Sequence, residues 1–135
     1  MQKFKYVTLL LITLVASLSL TSCDDDDYYD RYDQNFIGTW ALISVNGLEP
    51  AQEWDYEFYG DGRGAQVINP GVPGEYTIPF DWETYYNPNG ATYLNLYPYS
   101  GGTLSYLANM YFQGGAYLLE LNDLDTGDEL IFQLY

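Results

Sequence analysis

The chain has 135 residues with 19 acidic and four basic side chains, so its formal net charge at pH 7 is −15, and it contains no histidine and a single cysteine. These absences exclude Ser-His and Cys-His nucleophiles and Cys/His zinc sites. The negative charge excludes nucleic acid as a partner, because its recognition requires clustered lysine and arginine. We therefore expect a protein that is not an enzyme and needs no cofactor.

The N-terminus has the pattern of a secretory signal. Lys3 and Lys5 precede an apolar run over residues 6–20, and the small residues Thr21 and Ser22 follow it. The run is shorter than the roughly 20 apolar residues that a membrane-spanning helix needs. A cleaved signal peptide is therefore favoured over a retained transmembrane anchor.

The end of this signal carries a more specific motif. Leu20-Thr21-Ser22-Cys23 resembles the lipobox of bacterial lipoproteins, in which a leucine and two small residues precede the cysteine. The resemblance implies that signal peptidase II removes residues 1–22 by cutting between Ser22 and Cys23. It also implies that Cys23 carries a diacylglycerol thioether and, on its new amino group, a further acyl chain such as palmitate. Two or more chains anchor a protein stably, since each buried methylene contributes about 0.8 kcal/mol.

The next segment, residues 23–35, reads as an acidic flexible linker. It begins after the cysteine with four consecutive aspartates, Asp24, Asp25, Asp26 and Asp27. Like charges repel one another and prevent a core, so the segment is expected to be extended. It serves either as a solvated spacer or as an export address, because it resembles the surface-export signal of some Gram-negative lipoproteins. The second interpretation implies the outer face of the outer membrane, and the first leaves a periplasm-facing location open.

Residues 36–135 have the sequence pattern of an all-β domain. Runs rich in tyrosine, phenylalanine, tryptophan and β-branched residues alternate with turn signals that supply positive φ. Several runs alternate with period two, such as residues 54–58, 80–83, 117–121 and 130–134. We predict about eight antiparallel strands in an up-and-down, lipocalin-like barrel, with an open barrel or a two-sheet sandwich as the alternative.

Three stretches carry a family resemblance. Gly38 and Trp40 resemble the Gly-x-Trp opening of lipocalin-like domains, and residues 58–64 resemble the Asp-Gly-x-Gly hairpin of the small lipoprotein branch of that family. The stretch Phe80-Asp81-Trp82 resembles its aromatic middle strand. The resemblance implies a barrel whose floor is closed by Trp40 and which binds a ligand. The last strand lacks the arginine that stacks on this tryptophan in the family.

Carboxylates and turns offer the remaining candidates. Four acids alternate with aromatic residues and are expected to face water with ordinary pKa values rather than to form a catalytic pair: Asp55, Glu57, Asp81 and Glu83. Residues 123–129 have a partial likeness to a calcium loop but lack its ligand spacing, so a hairpin turn is favoured and no metal is expected. Four tyrosines near strand ends are interpreted either as half-buried strand residues or as stacking surfaces for a sugar or a partner: Tyr85, Tyr86, Tyr97 and Tyr99.

Two functional hypotheses remain. The first is a lipid-anchored module that binds a small apolar or glycan ligand in or around the barrel. The second is a structural protein that contacts another envelope protein and whose interior is filled. The aromatic residues Trp54, Phe80 and Trp82 line the ligand site in the first hypothesis and form the core in the second.

Overall fold

The computed structural model describes residues 32–135, which form an all-β, closed, eight-stranded antiparallel barrel. Each strand pairs with the next and β8 pairs with β1, so the predicted up-and-down barrel is confirmed and the open-barrel and sandwich alternatives are excluded. The elements are a 3-10 helix at Gln34–Phe36 and the strands β1 Gly38–Val45, β2 Trp54–Phe58, β3 Arg63–Ile68, β4 Tyr76–Tyr86, β5 Thr92–Pro98, β6 Leu104–Gln113, β7 Ala116–Asp123 and β8 Glu129–Leu134.

The N-terminal predictions fall outside this part of the chain. The signal peptide, the cleavage site at Ser22 and Cys23, and the aspartates Asp24 to Asp27 all lie outside the described residues. Over residues 32–135, no helix has both the length and the apolar character needed to cross a membrane.

Period-two alternation in the sequence matches the in-and-out alternation of the strands. Tyr56 pairs with Trp40 on β1 and with Gln66 on β3, so these three side chains lie on the same face of the sheet. Because successive strand residues point to opposite faces, the aromatic residues of β2 and the Phe80 and Trp82 rings of β4 face the barrel axis, and the acidic residues between them face outward.

Large side chains fill the barrel interior. The residues with the largest fully buried side chains come from the 3-10 helix and from six of the strands: Phe36, Trp40, Phe58, Phe80, Trp82, Leu94, Leu96, Leu119, Leu121 and Phe132. Their rings meet edge to face in several places, as between Phe58 and Trp82, whose centroids are 5.3 Å apart. An eight-stranded barrel is just wide enough for such side chains to occupy its lumen.

The hairpins divide between the two ends of the barrel. The plug end comprises the loops at residues 59–62, 87–91 and 114–115 together with the 3-10 helix. The opposite end comprises the loops at residues 46–53, 69–75, 99–103 and 124–128. At the opposite end, Asn46 and Gly47 have φ values of 53° and 80°, which is the conformation that a tight hairpin requires and that Asn-Gly predicts.

Candidate functional site at the plug end of the barrel

The 3-10 helix inserts Phe36 into the plug end. Phe36 is only 1% exposed, and its ring lies 5.9 Å from that of Phe58 and 6.1 Å from that of Trp82, measured between centroids. The indole Nε1 of Trp40 donates a hydrogen bond of 2.8 Å to the carbonyl oxygen of Phe36. Trp40 is therefore buried at the plug end of the barrel, and the helix backbone satisfies its N–H.

Asp33 fastens this helix to β4. Its backbone N–H donates to Thr84 Oγ1 at 3.0 Å, while its carboxylate accepts from the N–H of Asn35 at 2.9 Å and from the hydroxyl of Tyr86. The ring of Tyr32 lies 5.5 Å from that of Trp82. Tyr32, which the sequence interpretation assigned to the linker, thus packs against the barrel.

The plug covers one side of the barrel end and leaves a cleft on the other. This aromatic cleft has a volume of about 480 Å³ and lies between Asn35 of the 3-10 helix and the β6–β7 hairpin. Its lining includes Trp40, Met110, Phe112, Tyr117, Leu118 and Leu134. Because no charged side chain lines it, the cleft is suited to an apolar molecule, with the Asn35 amide as a polar contact.

A second cleft adjoins the first. It has a volume of about 410 Å³, is bordered by the β4–β5 loop at Gly90 and Ala91, and is lined by more polar groups, including Asp33 and Asn109. Asn35 and Met110 line both clefts, so these two residues separate an apolar seat from a polar one.

The aromatic cleft is flanked by two exposed rings. Phe112 and Tyr117 are 62% and 61% exposed and form an edge-to-face pair with centroids 4.9 Å apart. They face each other across the β6–β7 hairpin, where Phe112 pairs with Tyr117 in the ladder. The two rings therefore extend the apolar surface of the cleft to the hairpin tip.

The aromatic residues singled out from the sequence lie mostly in the core. Phe80 and Trp82 are 2% and 1% exposed, and the indole N–H of Trp82 donates to the carbonyls of Tyr59 and Arg63. Trp54 is half-buried and packs edge to face on Tyr56 and Phe132. These three residues do not line either cleft at the plug end.

The four candidate carboxylates accept hydrogen bonds from tyrosine hydroxyls rather than from cations. The pairs are Tyr59 with Glu57 at 2.6 Å, Tyr97 with Glu83 at 2.5 Å, Tyr99 with Asp81 at 2.8 Å and Tyr135 with Asp55 at 3.4 Å. Donation to a carboxylate raises the pKa of Tyr59, Tyr97 and Tyr99, because the proton is held in the bond. The carboxylates are thus distributed around the outer wall with local partners.

Asp55 departs from the expectation that these acids face water. It lies on the outer face between Ala41 and Val67, yet it is only 6% exposed. Burial raises the pKa of its carboxyl group, the hydrogen bond from Tyr135 lowers it, and the charge of Glu57 raises it further. The expectation was wrong because neighbouring side chains on the outer face surround this short side chain. Asp55 therefore points away from the lumen and is still buried.

The acidic turn at residues 123–129 adopts the hairpin geometry that the sequence favoured. The Asp123 carboxylate accepts the backbone N–H groups of Asp125 and Thr126 at 2.8 and 3.1 Å. The Thr126 hydroxyl donates to the Asp128 carboxylate at 3.1 Å. Over residues 32–135, no group of three or more acidic or cysteine side chains is placed to hold a metal ion.

The four strand-end tyrosines divide into two kinds. Tyr97 and Tyr99 donate to the carboxylates named above, and Tyr86 donates to Asp33. Tyr85 stacks on Tyr93 across β4 and β5, with centroids 5.0 Å apart and planes inclined by 11°. Tyr85 thus contributes to an exposed aromatic surface, whereas the other three bind neighbouring side chains.

Sequence reasoning missed the features that make up the plug end. Asp33 followed by a short polar stretch is an N-cap signal, and it marks the 3-10 helix. The second signal is the charge-free run over residues 84–119, which includes the hairpin that carries Phe112 and Tyr117. Neither signal identifies the cleft by itself, because the cleft forms only where the helix and the hairpin meet.

Comparison of the chain with models of known protein families, with curated proteins and with solved structures gives no match.

Proposed function

We propose that the chain is a non-catalytic, lipid-anchored lipoprotein of the outer membrane whose barrel binds a small apolar ligand at the plug end. The observation that carries the binding role is the incomplete plug. The 3-10 helix packs on Phe58 and Trp82 but leaves an apolar cleft of about 480 Å³ beside Phe112 and Tyr117. The lumen itself is filled, so the ligand seat lies at the rim.

The lipid anchor and the surface location rest on the sequence. The lipobox around Cys23 supports the anchor, and the run from Asp24 to Asp27 supports export to the cell surface. Without histidine in the chain, and with the four candidate carboxylates bound to tyrosine hydroxyls, the outer wall presents no acid–base pair in a cavity. These observations support a role in binding rather than in catalysis.

Native mass spectrometry of the purified, lipidated chain tests the ligand seat. Asn35 lines both clefts and lies exposed on the 3-10 helix, so Asn35→Trp places an indole in the seat without disturbing the core. We expect a co-purifying small molecule on the natural chain and its loss from this variant. Gln34→Trp is the matched control, because Gln34 lies on the same helix, is exposed and lines neither cleft.

The filled lumen favours a second candidate, a structural protein that contacts another component of the envelope. Trp40, Phe80 and Trp82 occupy the interior that a ligand-carrying barrel keeps free. Absence of any bound species from the natural chain in repeated preparations would favour this candidate. A species that remains bound to Asn35→Trp would place the ligand outside the cleft.

A further inference from the structure

Charge is distributed unevenly along the barrel axis. The loops of the opposite end carry five exposed acidic side chains: Glu49, Glu53, Glu75, Asp125 and Asp128. At the plug end, the loops at residues 87–91 and 114–115 contain no charged residue, and the loop at residues 59–62 contains only Asp61. Asp61 in turn lies 3.9 Å from the Arg63 guanidinium. The half-buried Asp33 carboxylate also lies at the plug end, where it accepts hydrogen bonds from the Asn35 N–H and the Tyr86 hydroxyl. The opposite end therefore carries more exposed acidic side chains than the plug end.

A charge-free stretch supplies two loops of the plug end, at residues 87–91 and 114–115, and one loop of the opposite end, at residues 99–103. Residues 84–119 contain no Asp, Glu, Lys, Arg or His, although the whole chain has 19 acidic residues. The β6–β7 hairpin within this stretch presents Phe112 and Tyr117, both more than 60% exposed, at its tip. Exposed rings on an uncharged hairpin avoid the desolvation penalty that charged side chains pay at a lipid surface.

The length of chain before Tyr32 limits how far this end can lie from a lipidated Cys23. Tyr32, the first described residue, packs on Trp82 at the plug end. Eight residues separate Cys23 from Tyr32, and at 3.3–3.6 Å each they reach at most about 30 Å. With Cys23 lipidated, a tether of this length keeps the plug end at a high effective concentration near the bilayer, so weak contacts suffice.

We infer that the plug end is a lipid-contacting surface, with Phe112 and Tyr117 in the interfacial region of the bilayer and the acidic opposite end directed away from it. This inference rests on the lipid anchor of the proposed function. The partner is an electrically neutral lipid surface, because an acidic barrel is repelled by anionic headgroups. The aromatic cleft then opens beside the lipid, and its ligand enters from the membrane.

A single fluorescent label on the lipidated chain tests this orientation. Cys23 is the only cysteine in the sequence, and in the lipidated chain its sulfur is blocked by the thioether. Gln113→Cys therefore gives one reactive thiol at the hairpin tip. Val72→Cys, in an exposed loop of the opposite end, is the matched control. In phosphatidylcholine vesicles we expect blue-shifted emission and quenching by nitroxide-labelled lipid for the first label and neither effect for the second.

Two side-chain variants separate lipid contact from anchoring. Phe112→Ser with Tyr117→Ser should abolish quenching of the Gln113→Cys label while the protein still co-sediments with vesicles. Leu124→Ser, at an exposed position of the opposite end, should leave quenching unchanged. Equal, water-like emission from both labels on vesicle-bound protein would overturn the inference. It would mean that the acidic segment acts as a spacer that holds the barrel away from the lipid. Failure of the unlabelled chain to bind vesicles would instead contradict the lipid anchor.

Discussion

The indole N–H of Trp40 donates to the carbonyl oxygen of Phe36 at 2.8 Å, and this bond joins the first strand of the barrel to the helix that plugs its end. The bond gives the buried indole its partner, while the 3-10 helix inserts the Phe36 ring beside Phe58 and Trp82. Trp40 and the helix that closes this end of the barrel are therefore one structural unit.

Phe36→Ala tests how much this plug contributes. The ring is fully buried, so its removal leaves a cavity and is expected to lower the free energy of unfolding by about 3–5 kcal/mol. Urea unfolding followed by tryptophan fluorescence measures the change. Gln34→Ala, exposed on the same helix, should stay within about 0.5 kcal/mol. Equal stability of both variants would show that the helix does not contribute to the core.

The buried pair Tyr56 and Tyr106 predicts a non-additive result. Their hydroxyl oxygens lie 3.0 Å apart inside the barrel. Tyr56→Phe leaves the Tyr106 hydroxyl without this partner and should cost about 1–3 kcal/mol, whereas replacing both tyrosines with phenylalanine should recover most of the loss. A double-mutant cycle measured by urea unfolding checks this. Additive losses would mean that the two hydroxyls are satisfied independently.

The same pair predicts loss of stability in alkali. Burial raises the pKa of Tyr56 well above its ordinary value of 10 and raises the pKa of Tyr106. A raised pKa in the folded state means that this contribution to stability is complete below pH 10 and declines as the pH rises above it. Unfolding at pH 9 and pH 11 should show the decline, and the double phenylalanine variant should show less of it. An identical decline in that variant would assign the effect to other tyrosines.

Asp55→Asn is expected to stabilise the barrel at neutral pH. Burial raises the pKa of this carboxyl group in the folded state, so its favourable contribution exists below about pH 3.8 and is lost as the pH rises through the raised value. Asparagine does not ionise, and its advantage over aspartate should therefore grow between pH 3.5 and pH 7 in urea unfolding. Asp125→Asn, at an exposed position, is the control. A variant less stable than the natural chain at pH 7 would mean that the bond from Tyr135 outweighs the burial.

Cys23→Ser tests the anchor. Serine cannot form the thioether, so we expect the variant to leave the membrane fraction, and intact mass measurement of the natural chain to show acylation after Ser22. Thr21→Ser keeps a small residue before the cleavage site and should leave fractionation unchanged. Continued membrane association of Cys23→Ser would contradict the lipid anchor.

Replacement of Asp24, Asp25, Asp26 and Asp27 by alanine tests the surface location. If the acidic run directs export, the variant should stay in the membrane fraction but become less accessible to protease added to intact cells. Asparagine at the four positions keeps the polarity and removes the charge, which separates an effect of charge from one of solubility. If protease accessibility changes in neither variant, the acidic run acts only as a spacer.

Local sequence patterns determined the eight strands and their inward faces. Tyr56 and Trp82 could be assigned to the core because period-two alternation and hairpin turns are set by neighbours a few residues apart. Absence of histidine and the uncharged run over residues 84–119 were likewise readable from the chain alone.

Closure of the barrel, the burial of Asp55 and the aromatic cleft depend on contacts between residues distant in sequence. Asp55 meets Tyr135, and Asn35 lies beside Met110, only after β8 pairs with β1 and the helix enters the barrel. Tertiary structure decided these features because burial and cleft shape depend on which distant surfaces come together.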